Sequence, residues 1–132
     1  MKTKMVILFA VVALMFIGCK QVTEKETTEK EMYLFSYFNG NGDGLHLAYS
    51  TDGMVWNSLR NDTVWLRPTV GKDKLMRDPS IVQDEEGTFH MVWTSGWWDQ
   101  GIGYASSKDL IHWSEQKNIP VMEGFEGTRN TW

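Results

Sequence analysis

Two stretches of the chain repeat each other at a fixed spacing. Residues 32–56 align without a gap with residues 89–113, each residue matching the one 57 positions later. The identical positions are Gly44 with Gly101, Ala48 with Ala105, Ser50 with Ser107, Asp52 with Asp109, and Trp56 with Trp113. Each copy has an apolar strand, a glycine-containing connection, a second strand, a turn and a closing tryptophan. Short strands in a unit of this length are typical of β-propeller blades, so the sequence predicts an all-β fold with about two blades.

The turn at residues 50–56 has a local mechanism. Asp52 is expected to hydrogen-bond to the backbone two residues further on, Gly53 to adopt a positive φ, and Trp56 to pack under the hairpin. The turn faintly resembles the Asp-box of sialidases, although Asp and Gly are adjacent here instead of separated. A sialidase-like propeller is therefore the second-ranked family.

The first strand of the second copy is apolar on both faces. Its side chains alternate, with Phe89, Met91 and Trp93 on one face and His90, Val92 and Thr94 on the other. Such a strand fits a sheet packed between neighbouring blades. The chain also has seven Trp, six Phe and four Tyr, which suit either a plain β core or a protein that offers aromatic faces to sugar rings.

An Asp-Pro step at Asp78 and Pro79 marks the start of a second hairpin. Proline fixes its own φ, lacks an N–H and disfavours the helical region for the residue before it. Asp78 is therefore predicted to be extended, at the mouth of a strand that begins at Pro79, with its carboxylate directed outward. The chain then turns at residues 84–87. The alternative is an ordinary turn dipeptide with Arg77 as its solvated neighbour.

The overall charge is mildly acidic, with 13 basic against 17 acidic side chains. No run of basic residues outside the N-terminus offers the clustered positive patch that nucleic-acid binding requires, so a nucleic-acid partner is not expected. The single cysteine excludes an internal disulfide, and no Cys/His cluster has zinc spacing. Neither a metal nor a cofactor is predicted.

The N-terminus resembles a targeting segment. Residues 1–4 are positively charged, and residues 5–17 form an apolar run too short to span a bilayer of about 30 Å comfortably. This pattern predicts a signal peptide over residues 1–18; an uncleaved anchor is the rival interpretation. The Gly-Cys ending resembles the bacterial lipobox, so Cys19 is expected to carry a lipid. The protein would then be secreted and anchored in the cell envelope, on the periplasmic or outer-membrane face.

Residues 19–31 are polar and lack apolar periodicity, so they cannot bury enough surface to fold. They are predicted to be a tether between the lipid and a domain that starts at residue 32.

Four segments carry a family resemblance. They are residues 76–81, 87–93, 107–113 and 129–132, of which the Arg-Asp-Pro step in the first is the most specific. Together they resemble glycoside hydrolase family 43, over roughly residues 32–132. The resemblance implies part of a five-bladed β-propeller that cleaves glycosidic bonds, often in arabinose- or xylose-containing glycans, with inversion. Such enzymes use a carboxylate base, a Glu acid and a second Asp that orients the acid.

The resemblance implies a role for Asp78 as the orienting Asp. The family's base normally stands in an Asp-Pro step before the first blade, and this chain has none there. Asp43, in the glycine-rich connection of the first copy, is the substitute candidate, with a turn residue as the alternative. The general acid would follow Trp132 in an Ala-Pro-Glu segment, so the chain is expected to be the N-terminal fragment of such a propeller.

Four further residues are candidates for substrate binding. Trp97 and Trp98 lie in a connection where an indole can stack on a sugar ring, although one of them could cap the core instead. Arg77 lies beside Asp78, and His46 is one residue into the second strand of the first copy, where a packing role is the alternative. A carbohydrate-binding propeller that has lost its base remains a third reading beside the truncated enzyme and the sialidase-like propeller.

Overall fold

The structure is a computed structural model that describes residues 31–40, 42–121 and 123–125. The strands are β1 (Tyr33–Tyr37), β2 (His46–Ser50), β3 (Asn57–Ser58), β4 (Arg77–Gln83), β5 (Phe89–Thr94), β6 (Gly101–Ser107) and β7 (Lys117–Pro120). A short 3-10 helix, Leu59–Asp62, lies between β3 and β4. The described residues contain no α-helix, and the prediction of an all-β fold is confirmed. None of the described segments is a helix long and apolar enough to cross a membrane.

The strands form two antiparallel sheets. The first has the order β1-β2-β3 and the second the order β4-β5-β6-β7. In chain order, β1, β2 and β3 correspond to β5, β6 and β7, as expected of two consecutive blades. The described part of the first sheet has no counterpart of β4, whose place at the repeat spacing falls before residue 31 and outside the described residues.

The strand register shows that the ungapped alignment is wrong by one residue in part of the repeat. Ser50 pairs with Tyr33, whereas the equivalent Ser107 pairs with Phe89, which lies 56 and not 57 positions after Tyr33. The connection of the second copy therefore contains one additional residue. Because side chains alternate along a strand, this shift decides which residues of β1 and β5 occupy equivalent faces.

The turns confirm the repeat at the level of individual hydrogen bonds. Ser50 Oγ accepts from Gly53 N at 2.8 Å, and Asp52 Oδ1 accepts from Met54 N at 2.8 Å. Ser107 and Asp109 accept in the same way from the N–H groups of Leu110 and Ile111, at 2.9 and 2.8 Å.

The predictions for the first of these turns are confirmed in the backbone. Gly53 has a φ of 73°. Trp56 packs on Phe35 with ring centroids 5.4 Å apart, but 42% of its surface stays exposed, so it lies on an outer face and not in the core.

The prediction of an extended Asp78 is wrong. Its φ is 50°, in the left-handed region, and β4 begins at Arg77 instead of Pro79. Between the pairs Arg77–Thr94 and Ser80–Val92 the ladder holds one more residue on β4 than on β5, which is a β-bulge. Pro79 disfavours the right-handed helical region for Asp78, and aspartate tolerates the left-handed region better than most residues. Asp78 is exposed at this bulge.

The core lies between the two sheets. Its buried cluster consists of Leu45, Leu47, Met76, Met91, Trp93 and Ala105. Leu47 belongs to β2 and Trp93 to β5, so the face of the first sheet that carries Leu47 packs on the face of the second that carries Trp93. Gly103 pairs with Trp93, and a Cβ at Gly103 would lie 2.0 Å from the indole.

We expect Gly103→Ala to destabilise the fold by about 1–3 kcal/mol, because the added methyl group overpacks against a ring that is 2% exposed. Urea unfolding followed by tryptophan fluorescence measures the change. Gly42→Ala is the matched control, since a Cβ there meets nothing within 4 Å, and it should stay within about 0.5 kcal/mol. Equal stability of the two variants would contradict the packing described.

Candidate active site

The candidate active site lies at one end of the two sheets. β1 ends there at Tyr37 and β4 begins there at Arg77. The two strands meet across the sheets, since Ser36 Oγ donates to the carbonyl oxygen of Pro79 at 2.6 Å. The connections from β1 to β2, from β3 to β4 and from β5 to β6 all run at this end, and they carry the residues that the sequence singled out.

Arg77 is held between two aromatic rings. Its guanidinium carbon lies 4.5 Å from the ring centroid of Trp97 and 5.1 Å from that of Phe38. Cation–π contacts of this length attract the guanidinium electrostatically to both rings. Arg77 therefore ties the start of β4 to the β1–β2 and β5–β6 connections, and the alternative of a merely solvated arginine is wrong.

The connection that carries both tryptophans is fixed by two aspartates. Asp73 Oδ2 accepts a hydrogen bond from the backbone N–H of Trp97 at 3.0 Å. Asp99, which is 8% exposed, accepts from Lys72 N at 2.9 Å and from Ser95 Oγ at 2.8 Å. Sequence reasoning missed Asp73 and Asp99; their one sequence signal is that each stands close to a glycine at a loop position.

The two tryptophans have different environments. Trp97 is half-buried and covers Arg77, while Trp98 is 57% exposed. Neither belongs to the core cluster or to the partly buried side chains packed against it. The exposed indole of Trp98 is the one placed to stack on a ligand from solvent.

Asp78 lines two adjoining pockets of about 330 and 310 Å³. The walls of the first include Phe35, Tyr37 and Phe38, and those of the second include Val92 and Ile102. The carboxylate therefore stands at the junction of the two sheets, beside apolar and aromatic surface.

A buried histidine lies between two carboxylates on the first sheet. His46 is 2% exposed, and its Nε2 lies 2.7 Å from Asp43 Oδ2. Its Nδ1 lies 2.9 Å from Asp62 Oδ1, but the atoms are not aligned as a hydrogen bond, so this second contact is electrostatic. Because His46 contacts these carboxylates and barely reaches solvent, the arrangement matches the packing alternative and not direct contact with substrate.

Asp43 is engaged on several sides. Besides His46, it faces Arg67, whose Nη1 lies 3.9 Å from Asp43 Oδ1 and donates to the Asp43 carbonyl oxygen at 3.2 Å. Asp43 is thus part of an ordered polar cluster and not an isolated turn residue.

Asp62 extends this cluster toward the Asp78 pocket. Its Oδ1 accepts from the Tyr37 hydroxyl at 2.5 Å and its Oδ2 from Asn39 Nδ2 at 2.9 Å. The Tyr37 hydrogen bond is the main cause that holds the Asp62 pKa below its usual value. Burial, followed by the Asp62 hydrogen bond and charge, raises the pKa of Tyr37 to about 12.

Tyr37 connects the two halves of the site. It lines the pocket beside Asp78 and bonds to Asp62, which in turn contacts His46 and, through it, Asp43. Sequence reasoning missed Tyr37 and Asp62, because they lie 25 residues apart and form no motif. Within the described ranges no group of three or more His, Cys, Asp or Glu side chains is arranged to hold a metal ion. Cys19 and residues 129–132 lie outside the described residues.

The chain matches the sequence profile of a family described as a probable glycosyl hydrolase domain, related by its name to glycoside hydrolase family 43, over residues 29–132. The match spans most of the 132 residues, and the chain belongs to this family. The resemblance drawn from the Arg-Asp-Pro step and its companion segments is therefore confirmed at this level. No curated protein and no solved structure gives a significant match.

Asp62→Asn should lower the pKa of Tyr37 from about 12 toward 10.0, without reaching it, because burial is the largest cause of the shift and remains. A spectrophotometric titration of tyrosinate, taken as the difference from Tyr37→Phe, isolates this one phenol. Asp52→Asn, a change in the β2–β3 turn, is the control and should leave the titration of Tyr37 unchanged.

The raised pKa of Tyr37, caused first by burial and then by Asp62, predicts how the stability of the fold falls at alkaline pH. The folded-state pKa of Tyr37 lies above its ordinary value of 10.0. The stabilisation that neutral Tyr37 gives to the fold is therefore complete below pH 10 and is lost as the pH rises through about 12. Tyr37→Phe should flatten this part of the stability profile. A profile identical to that of the unmodified protein would refute the assignment.

Proposed function

We propose that this domain forms part of the active site of an inverting glycosidase that acts on glycans containing arabinose or xylose. The observation that carries the proposal is the position of Asp78. Asp78 is exposed in the Arg-Asp-Pro step and lines a pocket whose other walls include three aromatic residues, Phe35, Tyr37 and Phe38. Sugar rings stack on aromatic faces while their hydroxyls bond to polar groups, so such a pocket suits a glycan.

Hydrolysis with inversion needs two carboxyl groups about 6.5–9.5 Å apart, so that a water molecule fits between the base and the anomeric carbon. The base takes a proton from the water, the water oxygen attacks the anomeric carbon, and the acid protonates the departing glycosidic oxygen. In this proposal Asp78 orients the acid and, being negatively charged, favours its protonated form. The 132 residues contain no Ala-Pro-Glu segment, so the acid is assigned to none of them.

Asp43 is the proposed base. His46 and Arg67 fix the direction of its two carboxylate oxygens, and Asp62 holds the far side of the His46 ring. This fixed geometry favours proton abstraction from a positioned water. In the same scheme Trp98 supplies a stacking surface, and Arg77 and Trp97 form its rigid support.

A non-catalytic carbohydrate-binding domain is the second candidate. The observation in its favour is that Asp43 is already engaged by His46 at 2.7 Å and by Arg67, so these contacts compete with a water molecule for its carboxylate oxygens. The two functions share the aromatic pocket and differ only in turnover.

The deciding experiment combines activity and binding. The protein is incubated with aryl arabinosides and xylosides, whose leaving groups need little protonation, and NMR follows the anomer released. We expect the inverted anomer. Retention of configuration would refute the mechanism, and calorimetric binding of arabino- or xylo-oligosaccharides without any turnover would establish the second candidate.

Asp78→Asn should lower turnover of an unactivated glycan by about 10²–10⁴-fold, the contribution of positioned proton transfer. The test uses a form of the protein that carries the Ala-Pro-Glu segment. The loss should shrink for aryl glycosides, which depend less on the acid. Glu85→Gln, in the turn at the opposite end of β4, is the control with unchanged turnover. Full activity of Asp78→Asn on the unactivated glycan would show that Asp78 has only a structural role in its turn.

We also propose that the protein is anchored to the cell envelope through a lipid on Cys19, on the strength of the Gly-Cys ending of its apolar run. Cys19→Ser should move the protein from the membrane fraction to the soluble fraction. An unmodified Cys19 in the mass spectrum of the native protein would contradict the proposal.

A further inference from the structure

The β3–β4 and β5–β6 connections each hold the backbone of the other through one carboxylate. Asp99, in the β5–β6 connection, accepts from the backbone N–H of Lys72 with both oxygens, at 3.1 and 2.9 Å. Asp73, the next residue of the β3–β4 connection, accepts in return from the backbone N–H of Trp97 at 3.0 Å. We call Asp73 and Asp99 the aspartate pair. The pair ties the start of β4 to the connection that carries Trp97 and Trp98.

The two members of the aspartate pair differ in burial. Asp99 is 8% exposed and also accepts from Ser95 Oγ at 2.8 Å, while the Ser95 carbonyl oxygen accepts from the backbone N–H of Leu75 at 3.0 Å. Asp99 is therefore built into the interior. Asp73 is exposed, and the residue that it holds, Trp97, is half-buried. A change at Asp73 can loosen Trp97 without emptying the core.

Two glycines leave room for both carboxylates. A Cβ at Gly96 would lie 2.7 Å from Asp99 Oδ2 and 3.1 Å from Asp73 Oδ2. A Cβ at Gly71, whose φ is 86°, would lie 2.6 Å from Asp99 Oδ2. The carboxylates reach the facing backbone because no side chain stands in these places, so the fit between the two connections is specific.

The aspartate pair acts on the candidate site through Trp97. The hydrogen bond from Trp97 to Asp73 fixes the backbone from which the indole extends over Arg77, with 4.5 Å between the ring centroid and the guanidinium carbon. Arg77 directly precedes Asp78, and Trp98, which is 57% exposed, directly follows Trp97. One exposed aspartate is thus linked to the support of Asp78 and to the exposed indole.

We propose that Asp73 is a positioning residue of the carbohydrate site, because its hydrogen bond to Trp97 fixes the β5–β6 connection before a sugar ring binds. A connection that is already ordered loses less conformational freedom on binding, so the benefit is measured as affinity. Asp73 acts through Trp97 and Trp98 and does not itself touch the ligand. The inference rests on the proposed function, since it takes the aromatic site to be a glycan site.

The test compares Asp73→Leu with Asp73→Asn in the 132-residue chain. The two new side chains have nearly the same size and shape, but only Asn retains an oxygen that can accept from the Trp97 N–H. Hydrogen exchange followed by NMR measures the protection of the Trp97 amide. The chemical shifts of the Arg77 side chain report the ring currents of Trp97 and Phe38. Calorimetry gives the Kd for xylo- and arabino-oligosaccharides, and a thermal melt checks that each variant is folded.

In Asp73→Leu we expect faster exchange of the Trp97 amide, a loss of the ring-current shift at Arg77, and a Kd raised about 2- to 10-fold, as for one lost hydrogen bond. Asp73→Asn should restore all three. Unchanged affinity of Asp73→Leu, with or without faster exchange, would overturn the positioning role.

An equal loss of affinity in Asp73→Asn would also overturn it, because the charge of Asp73 and not its hydrogen bond would then matter. Failure of the unmodified chain to bind either oligosaccharide would refute the proposed function, and the positioning role with it. Full binding by both the unmodified chain and Asp73→Leu would refute the positioning role alone.

Discussion

The packing of Trp93 against the bare backbone of Gly103 is the contact on which the rest of the structure depends. A glycine on β6 gives the indole room to lie over the neighbouring strand and to reach the side chains of the first sheet. The packing of Trp93 over Gly103 sets the distance between the two sheets. The hydrogen bond from Ser36 to Pro79, which aligns β1 with Asp78, joins the same two sheets.

The sequence could predict the interactions between residues that lie close together in the chain. The alternation in β5, the Asp52 turn and its Asp109 counterpart, and the acidic turn closed by Gly87 all follow from neighbouring side chains. The additional residue in the second connection could not be predicted, because none of the five identities of the repeat lies in a first strand, so they constrain the first strands weakly. That one residue reverses the faces of β1 relative to an ungapped comparison.

The prediction of the backbone conformation at Asp78 was wrong for a different reason. A proline at position 79 disfavours the right-handed helical region for Asp78, and the sequence does not say whether the extended or the left-handed region is then adopted. The β5 partner decides this, because the ladder accommodates an additional residue at that point.

The candidate site was predicted in part. Arg77, Asp78, Trp97 and Asp43 do lie at one end of the sheets, since all of them stand in connections or at strand starts. Asp62 could not be found, because it reaches Tyr37 and His46 from a segment where Arg60, Asn61 and Asp62 all have positive φ. Such a segment has no sequence pattern, and only the fold shows which side chains it presents.

The left-handed backbone at Asp78 limits which residues can replace it in the course of evolution. Asparagine and glycine are the other residues that adopt this conformation readily, whereas β-branched or bulky residues would strain the bulge. A descendant that lost the carboxylate would therefore retain Asn or Gly at this position for reasons of backbone alone. In the proposed function only the charge of the residue at this position would bear on catalysis, because its small size is already explained by the backbone.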